Sequence, residues 1–297
     1  MLEQWTVDAP PEEREQRLVN PELRRALDPR AGHSTRRRLE RDLRAAVSSG
    51  GLILYYQPRL QLASGAIVGA EALLRWPHPR HGLISPATFI PISERTDLIT
   101  GIGGFVLRTA CQEAMRWPAA GQRPAPVVSV NVSARQFADR VLLEQLSAAL
   151  ELSGLPPERL ELELTESVML DTDIETDIET LLTLSAIRDL GIGLALDDFG
   201  AGYASLSMLK RLPLTTVKLD RSLVRGLPDN REDAAIVQAV ITAGHALGLV
   251  MGAEGIETEV QRAFLSGIGC DEGQGFLFSH PQPAAALVTR MMLAAGT

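Results

Sequence analysis

Apolar runs of strand length alternate with stretches of helical periodicity from about residue 52 onward. The runs are LILYYQP, GAIVGAEALLRW, PVVSVNVS, RLELELTES, IGLALDDFG, TTVKLD, GLVMGAEGIE and GQGFLFS. Helical stretches such as RQFADRVLLEQLSAALELSG, IETLLTLSAIRDLG and EDAAIVQAVITAGHALG lie between most of them. In the last, Ala234, Ile236, Val237, Val240, Ile241 and Ala243 give a broad apolar face. Strands that are apolar on both faces and separated by helices indicate a parallel sheet covered by helices. Eight such units closing on themselves predict an α/β fold of the TIM-type (β/α)8 barrel class. An open doubly wound sheet is the alternative, but no Gly-rich dinucleotide fingerprint follows the first strand. The Gly-Ile-Gly-Gly at 101–104 has the wrong spacing and reads as a turn that starts a helix.

Residues 1–36 differ from the rest. Pro10, Pro11, Pro21 and Pro29 break a highly charged stretch with few periodic apolar positions, predicting an appendage or linker before a domain at 37–297. From Arg36, Leu39, Leu43 and Ala46 stand at helical spacing before a Ser-Ser-Gly-Gly stop. A net charge of −8 argues against general nucleic-acid or anionic-membrane binding. Cys111 and Cys270 are far apart and in no zinc-type spacing. No apolar run approaches the roughly 20 residues of a membrane span, and the charged N-terminus lacks a signal-peptide core. These features together predict a soluble protein of the reducing cytoplasm. Of 29 basic residues only Lys210 and Lys218 are lysines, so each surviving lysine invites a reason.

The chemistry gathers at the C-terminal ends of the strand runs. Asn131 ends SVN, Glu163 and Glu166 end LELELTE, Asp197 and Asp198 end GLALDD, and Glu254 ends VMGAE. VKLD carries Lys218 and Asp220, on one face by strand alternation, and the second run carries Glu71. A parallel barrel brings its strand ends to one face, where such barrels place their active sites. A single acid there reads equally well as a helix cap or loop salt bridge. Five strand ends doing the same require a cation, because clustered buried carboxylates must be paired or neutralised. One lysine cannot balance them. With no histidine at these ends, the all-oxygen set suits Mg²⁺ or Mn²⁺, or Ca²⁺ as a non-reactive occupant. Paired metals serve phosphodiester cleavage, although carboxylate-rich barrels also perform enolisation. Lys218 reads either as a surface lysine paired to Asp220 or as a compact point charge that holds a water or a developing charge. The Asp-Phe-Gly at 198–200 lacks every other kinase motif.

The motifs also carry a resemblance. EAL at 71–73 within EALLRWPHPRHGLISPATFIP, YYQP at 55–58, NVS at 131–133 and ELTE at 163–166 stand in order with DDFGAGYASL at 197–206. KLD at 218–220, AEGIET at 253–258 and QGFLFSHP at 274–281 follow. From about residue 38 to 290 the chain resembles the EAL-domain cyclic di-GMP phosphodiesterases, which convert cyclic di-GMP to linear pGpG. The resemblance implies a modified barrel whose first strand runs antiparallel to the others. It implies one metal held by Glu71, Asn131, Glu163 and Asp197, and a second held by Asp197, Asp198 and Glu254. Lys218 would position the attacking water, with Glu254 and Glu71 completing the catalytic group. Gln57, Leu74 and Arg75 would contact substrate, Glu166 would anchor the 197–206 loop, and Gln274 and Asp220 would lie near the site. That loop region is also the implied homodimer contact, and residues 1–36 are a candidate tether for a regulatory partner. Asp97 and Phe105 depart from the family pattern in a peripheral helix, and no cyclase motif occurs. The alternative is a non-catalytic receptor of the same fold that binds cyclic di-GMP. Such receptors lose metal ligands, whereas every ligand position is filled here.

Overall fold

The computed structural model describes residues 33–119, 124–139, 141–165, 178–202 and 206–295. They fall into two compact units. One contains the described residues up to Ile53 together with Leu74–Ile102; the other contains Leu54–Leu73 and Gly103 onward.

The second unit holds the sheet. Except for Ile53 and the Leu74–His78 end of β2, which fall in the first unit, it contains β1 (Ile53–Gln61), β2 (Ile67–His78), β4 (Val127–Val132), β5 (Leu160–Thr165), β6 (Gly193–Phe199), β7 (Thr216–Leu219), β8 (Val250–Ala253) and β9 (Glu272–Gly273). They neighbour one another in the order β1-β9-β8-β7-β6-β5-β4-β2, and β2 returns to β1, so eight strands close into a barrel. From β2 round to β9 every pairing is parallel. β1 runs antiparallel to β9, and a tight turn with Gln61 N–H donating to Ala66 O (2.8 Å) leads it into β2. This is the modified TIM-type barrel with one antiparallel strand. Strand β5 shows why a parallel barrel suits this sequence. Its residues from Leu160 to Leu164 are all buried, the leucines alternating with Glu161 and Glu163. Leucines and acids must therefore occupy opposite faces, and neither face is solvent. The helix Arg231–Ala246 packs on β8 and the helix Ile178–Asp189 on β6.

Four local expectations are corrected. The run GQGFLFS is not a strand; the eighth strand is only Glu272–Gly273, and the chain turns from Gly275, whose carbonyl accepts from Phe278 and Ser279 N–H. The Gly-Ile-Gly-Gly segment is not a helix start but lies inside the helix Leu98–Ala114. Close approach explains its composition, since a Cβ on Gly103 would lie 1.9 Å from Gln136 Nε2. Along Arg231–Ala246, Ile236 is exposed and Gly244 is buried in its place. The stretch from Arg135 to Gly154 also divides, into helices Ala134–Phe137 and Val141–Ser153. Ser133 caps the first of these reciprocally with Gln136.

Gly69 on β2 makes room inside the barrel. A Cβ there would stand 2.9 Å from both Nε and Nη2 of Arg59. Gly69→Ala is expected to destabilise by about 1–3 kcal/mol through overpacking. The measurement is a lower urea midpoint at unchanged m value.

The first unit contains the helix His33–Ser49, the end of β2 paired antiparallel with β3 (Gly82–Ile84), and the helix Pro86–Glu94. Trp76 meets Phe89 edge-on (centroids 5.7 Å apart), and Asp42 Oδ2 accepts from Arg80 Nη2 at 2.9 Å.

Candidate active site

Strand register and alternation fix most of the site. Asn131 on β4 pairs with Glu163 on β5, and Thr165 on β5 pairs with Asp197 on β6. Adjacent residues of a regular strand point to opposite faces, yet the carboxylates of Asp197 and Asp198 come close together. The register between β6 and β7 shifts between Leu196 and Phe199, and Asp198 adopts φ +57°. Such a bulge with a left-handed non-glycine residue re-aims side chains at the expense of local strain. Carboxylate oxygens of Asp197, Asp198 and Glu254 consequently lie within 4.8 Å of one another.

Lys218 is the centre of the constellation. It is 2% exposed, and its Nζ lies 2.9 Å from Glu163 Oε1, 3.2 Å from Asp197 Oδ1 and in direct contact with Glu254 Oε1. Of the two readings of Lys218, the surface lysine paired to Asp220 is not the one observed; Lys218 is a buried charge among carboxylates. Asp220 lies just past β7 and caps the helix Arg221–Val224, accepting from Ser222 N–H at 2.9 Å. Glu71 is held on both oxygens. Asn131 Nδ2 donates to Oε1 and Gln274 Nε2 to Oε2, each at 2.6 Å. Gln274 also donates to Gln57 Oε1 (3.0 Å), and Gln57 Nε2 donates to the carbonyl of Ser279 (2.9 Å). Asn131 is exposed, so the site meets solvent on that side.

The structure thus brings together Glu71, Asn131, Glu163, Asp197, Asp198, Lys218, Glu254, Gln274 and Gln57. Leu74 and Arg75 belong to the first unit, where Arg75 Nη1 donates to the Leu74 carbonyl (3.0 Å). Glu166 and residues 203–205 of the loop lie outside the described residues.

Electrostatics mark the site as a cation receptor. Burial pushes Glu163 up to about 8, with Lys218 opposing and Glu71 and Asp197 adding to the rise. Burial and then Asp197 raise Asp198 to about 6. Glu254 is driven well above the ordinary carboxylate range by burial, despite Lys218. Burial disfavours the Lys218 ammonium too, but Asp197, Glu163 and Glu254 outweigh it and hold the amine charged. Among the described residues Glu163 Oε2 is buried with neither a hydrogen bond nor an ion pair, and the buried Glu163 Oε1, Asp197 Oδ1 and Glu254 Oε1 make no hydrogen bond and share the single ammonium of Lys218. Several buried carboxylate oxygens sharing one ammonium, with one of them unpartnered, suit a hard divalent ion. The residues present therefore fit a metal.

Below this group lies a second polar layer that pattern reading missed. Buried Arg59 on β1 touches Glu161 and lies 3.5 Å from Glu272 Oε2 and 3.9 Å from Glu163 Oε1. Thr216 Oγ1 donates to Glu161 Oε2 at 2.7 Å. Burial and then Arg59 act in opposite directions on Glu161, and with help from Thr216 its carboxyl is held below the ordinary range. The available signal was the strict alternation of LELELT, which in an unclosed sheet would describe a solvent face.

Residues 40–281 match the EAL domain family. The bifunctional diguanylate cyclase/cyclic di-GMP phosphodiesterase MucR of Pseudomonas aeruginosa is 44% identical over 248 residues, which cover 83% of this chain and 35% of MucR. The cyclic di-GMP phosphodiesterase NbdA of the same organism is 41% identical over 250 residues, 84% of this chain and 31% of NbdA. The chain thus spans about a third of the length of these curated relatives. Among solved structures, the PaMucR phosphodiesterase in complex with c-di-GMP superposes with a TM-score of 0.77 at 42% identity, covering 84% of this chain and 99% of that one. Among the described residues no helix is long and apolar enough to cross a membrane. With its barrel, its strand-end acids and the Glu71-Ala72-Leu73 motif in place, the chain belongs to the EAL domain family.

Proposed function

We propose that this chain hydrolyses cyclic di-GMP to linear pGpG in a reaction dependent on Mg²⁺ or Mn²⁺. The observation that carries the reading is the intact carboxylate set converging on Lys218, beside relatives whose names state this activity. Glu71, Asn131, Glu163 and Asp197 would hold one ion and Asp197, Asp198 and Glu254 the other. Such ions lower the pKa of bound water and stabilise charge on phosphoryl oxygens. Lys218 supplies a fixed positive charge for the water or the developing phosphoryl charge; held charged, it is not a general base at neutral pH. One water adds across a P–O bond, and the released ribose oxygen takes up a proton. Asn131 and Gln274 keep the Glu71 carboxylate in one orientation. Gln57, Leu74 and Arg75 are assigned to substrate contact by the family resemblance, Glu166 to anchoring the 197–206 loop, and that loop region to a homodimer contact.

The test is incubation with cyclic di-GMP and Mg²⁺ or Mn²⁺, with chromatographic detection of pGpG. Glu71→Ala is the inactive control, and Ca²⁺ is expected to bind without turnover. Binding of cyclic di-GMP with no product in either metal would refute hydrolysis and favour the receptor reading. Gln274→Ala is expected to retain the fold and reduce kcat/KM by about 10–100-fold, as loss of a group orienting a metal ligand does. Wild-type kinetics in that variant would remove Gln274 from the site.

A further inference from the structure

The lower polar layer contains a cation that the proposed reaction does not use. Arg59 and Lys218 are the two buried Lys or Arg side chains among the described residues. They stand at different levels of the same interior. Lys218 serves Glu163, Asp197 and Glu254, while Arg59 serves Glu161 and Glu272 and only approaches Glu163. We propose that Arg59 is a positioning residue, whose charge on Glu161 and Glu272 keeps the Lys218 ammonium in the upper, metal-facing layer.

Reach, room and driving force all favour this assignment. Thr216 precedes Lys218 by two residues on β7 and already bonds Glu161, a displacement of roughly 6.6 Å along the strand. The four-carbon lysine stem spans a comparable length and is flexible. A small cavity of about 10 Å³ is lined by Arg59, Thr216, Lys218, Glu254 and Glu272. That is close to the ~10–15 Å³ a single water needs, and an ammonium is of similar size. Gly252 on β8 pairs with Lys218, and an added Cβ there would lie 3.5 Å from Lys218 Cγ, so this neighbouring position sets no side chain against the stem. The drive is the high cost of a buried carboxylate without a partner. With Arg59 present, the lower layer sums to −1 (Arg59 +1, Glu161 and Glu272 −2). Without it the sum is −2, and the nearest mobile cation is Lys218. Arg59 suits the task because its planar fork reaches two carboxylates at once, in the space that Gly69 leaves.

The functional half of this inference rests on hydrolysis as proposed above; the position of Lys218 can be read without it. Arg59→Met is expected to lower kcat for cyclic di-GMP by about tenfold or more, with KM within about threefold. Calorimetric Mn²⁺ affinity should be unchanged or tighter, because the upper carboxylates lose a competing cation. The crystal structure should show Nζ moved toward Glu161 or Glu272. The double variant R59M/E161Q returns the layer to −1 and keeps an acceptor for Thr216. It should bring Nζ back and restore kcat to within about threefold of wild type. R59K, with the charge kept, should behave likewise. An unmoved Nζ in R59M, a double variant as slow as R59M, or Mn²⁺ affinity falling in step with kcat would each overturn the proposal. Should R59M not fold, R59K and R59M/E161Q decide alone, and a tenfold loss in both overturns it. A wild-type protein without turnover would refute the hydrolytic reading, while the position of Nζ would still decide the role of Arg59.

Discussion

Lys218→Ala is expected to reduce turnover of cyclic di-GMP by roughly 10²–10³-fold, the usual effect of removing one preorganised electrostatic donor. The size follows from burial. An exposed lysine beside acids contributes little because water screens it, but this ammonium is 2% exposed and contacts three carboxylates. The direction of the metal effect distinguishes this role from a structural one. Lys218 competes with a divalent ion for Glu163, Asp197 and Glu254, so its removal should leave Mn²⁺ binding intact or tighten it. Arginine should not rescue, since a planar fork cannot occupy the place of a compact point charge. Unchanged turnover would remove Lys218 from the reaction. A loss of Mn²⁺ affinity parallel to the loss of turnover would show that the lysine only supports the fold.

How much of this was legible in the sequence depends on whether a residue's neighbours in space were implied by its neighbours in the chain. The barrel was legible because apolar runs on both faces of a strand leave few alternatives. The upper layer was legible because polar residues ended otherwise apolar runs, as Asn131, Glu163, Asp197 and Glu254 do. The lower layer was not. Arg59 sits in QPRLQ and Glu161 in LELELT, and each alternation describes a wet strand face equally well. Only closure of the sheet through the β1–β2 pairing puts both inside. Nor did alternation anticipate that Asp197 and Asp198 would share a site, because the bulge and left-handed turn at Asp198 break the rule on which the reading relied. Asp220 differs from the alternation reading in its partner and not in its place: its carboxylate stands beside Asp198, whose carboxyl it helps to raise. Alternation placed it with Lys218; β7 ends at Leu219, and its carboxylate also caps the next helix.

Asp197→Asn should abolish the effect of metal and yet stabilise the metal-free protein at alkaline pH. Asp197 stands in both proposed ligand sets, so its loss should weaken Mn²⁺ binding by well over ~100-fold and take hydrolysis with it. Its charge also raises Glu163, Asp198 and Glu254. Groups raised in the folded state bind protons more tightly there than in the unfolded chain. Their contribution to stability is therefore complete below the ordinary values near 4 and is lost as pH climbs through about 6 for Asp198 and about 8 for Glu163. Metal-free wild type should accordingly lose Tm across that range. Added Mn²⁺ should raise Tm more at pH 8 than at pH 5.5, because only ionised carboxylates bind it. In D197N the three neighbours ionise at lower pH, so the metal-free decline should be shallower. At pH 8 in chelator the variant should melt about 2–4 °C above wild type, while Mn²⁺ should leave its Tm unmoved. A variant that melts below wild type at pH 8 in chelator would mean that Asp197 is needed chiefly as a partner for Lys218. In that case its repulsion of Glu163 and Glu254 is not the controlling energy.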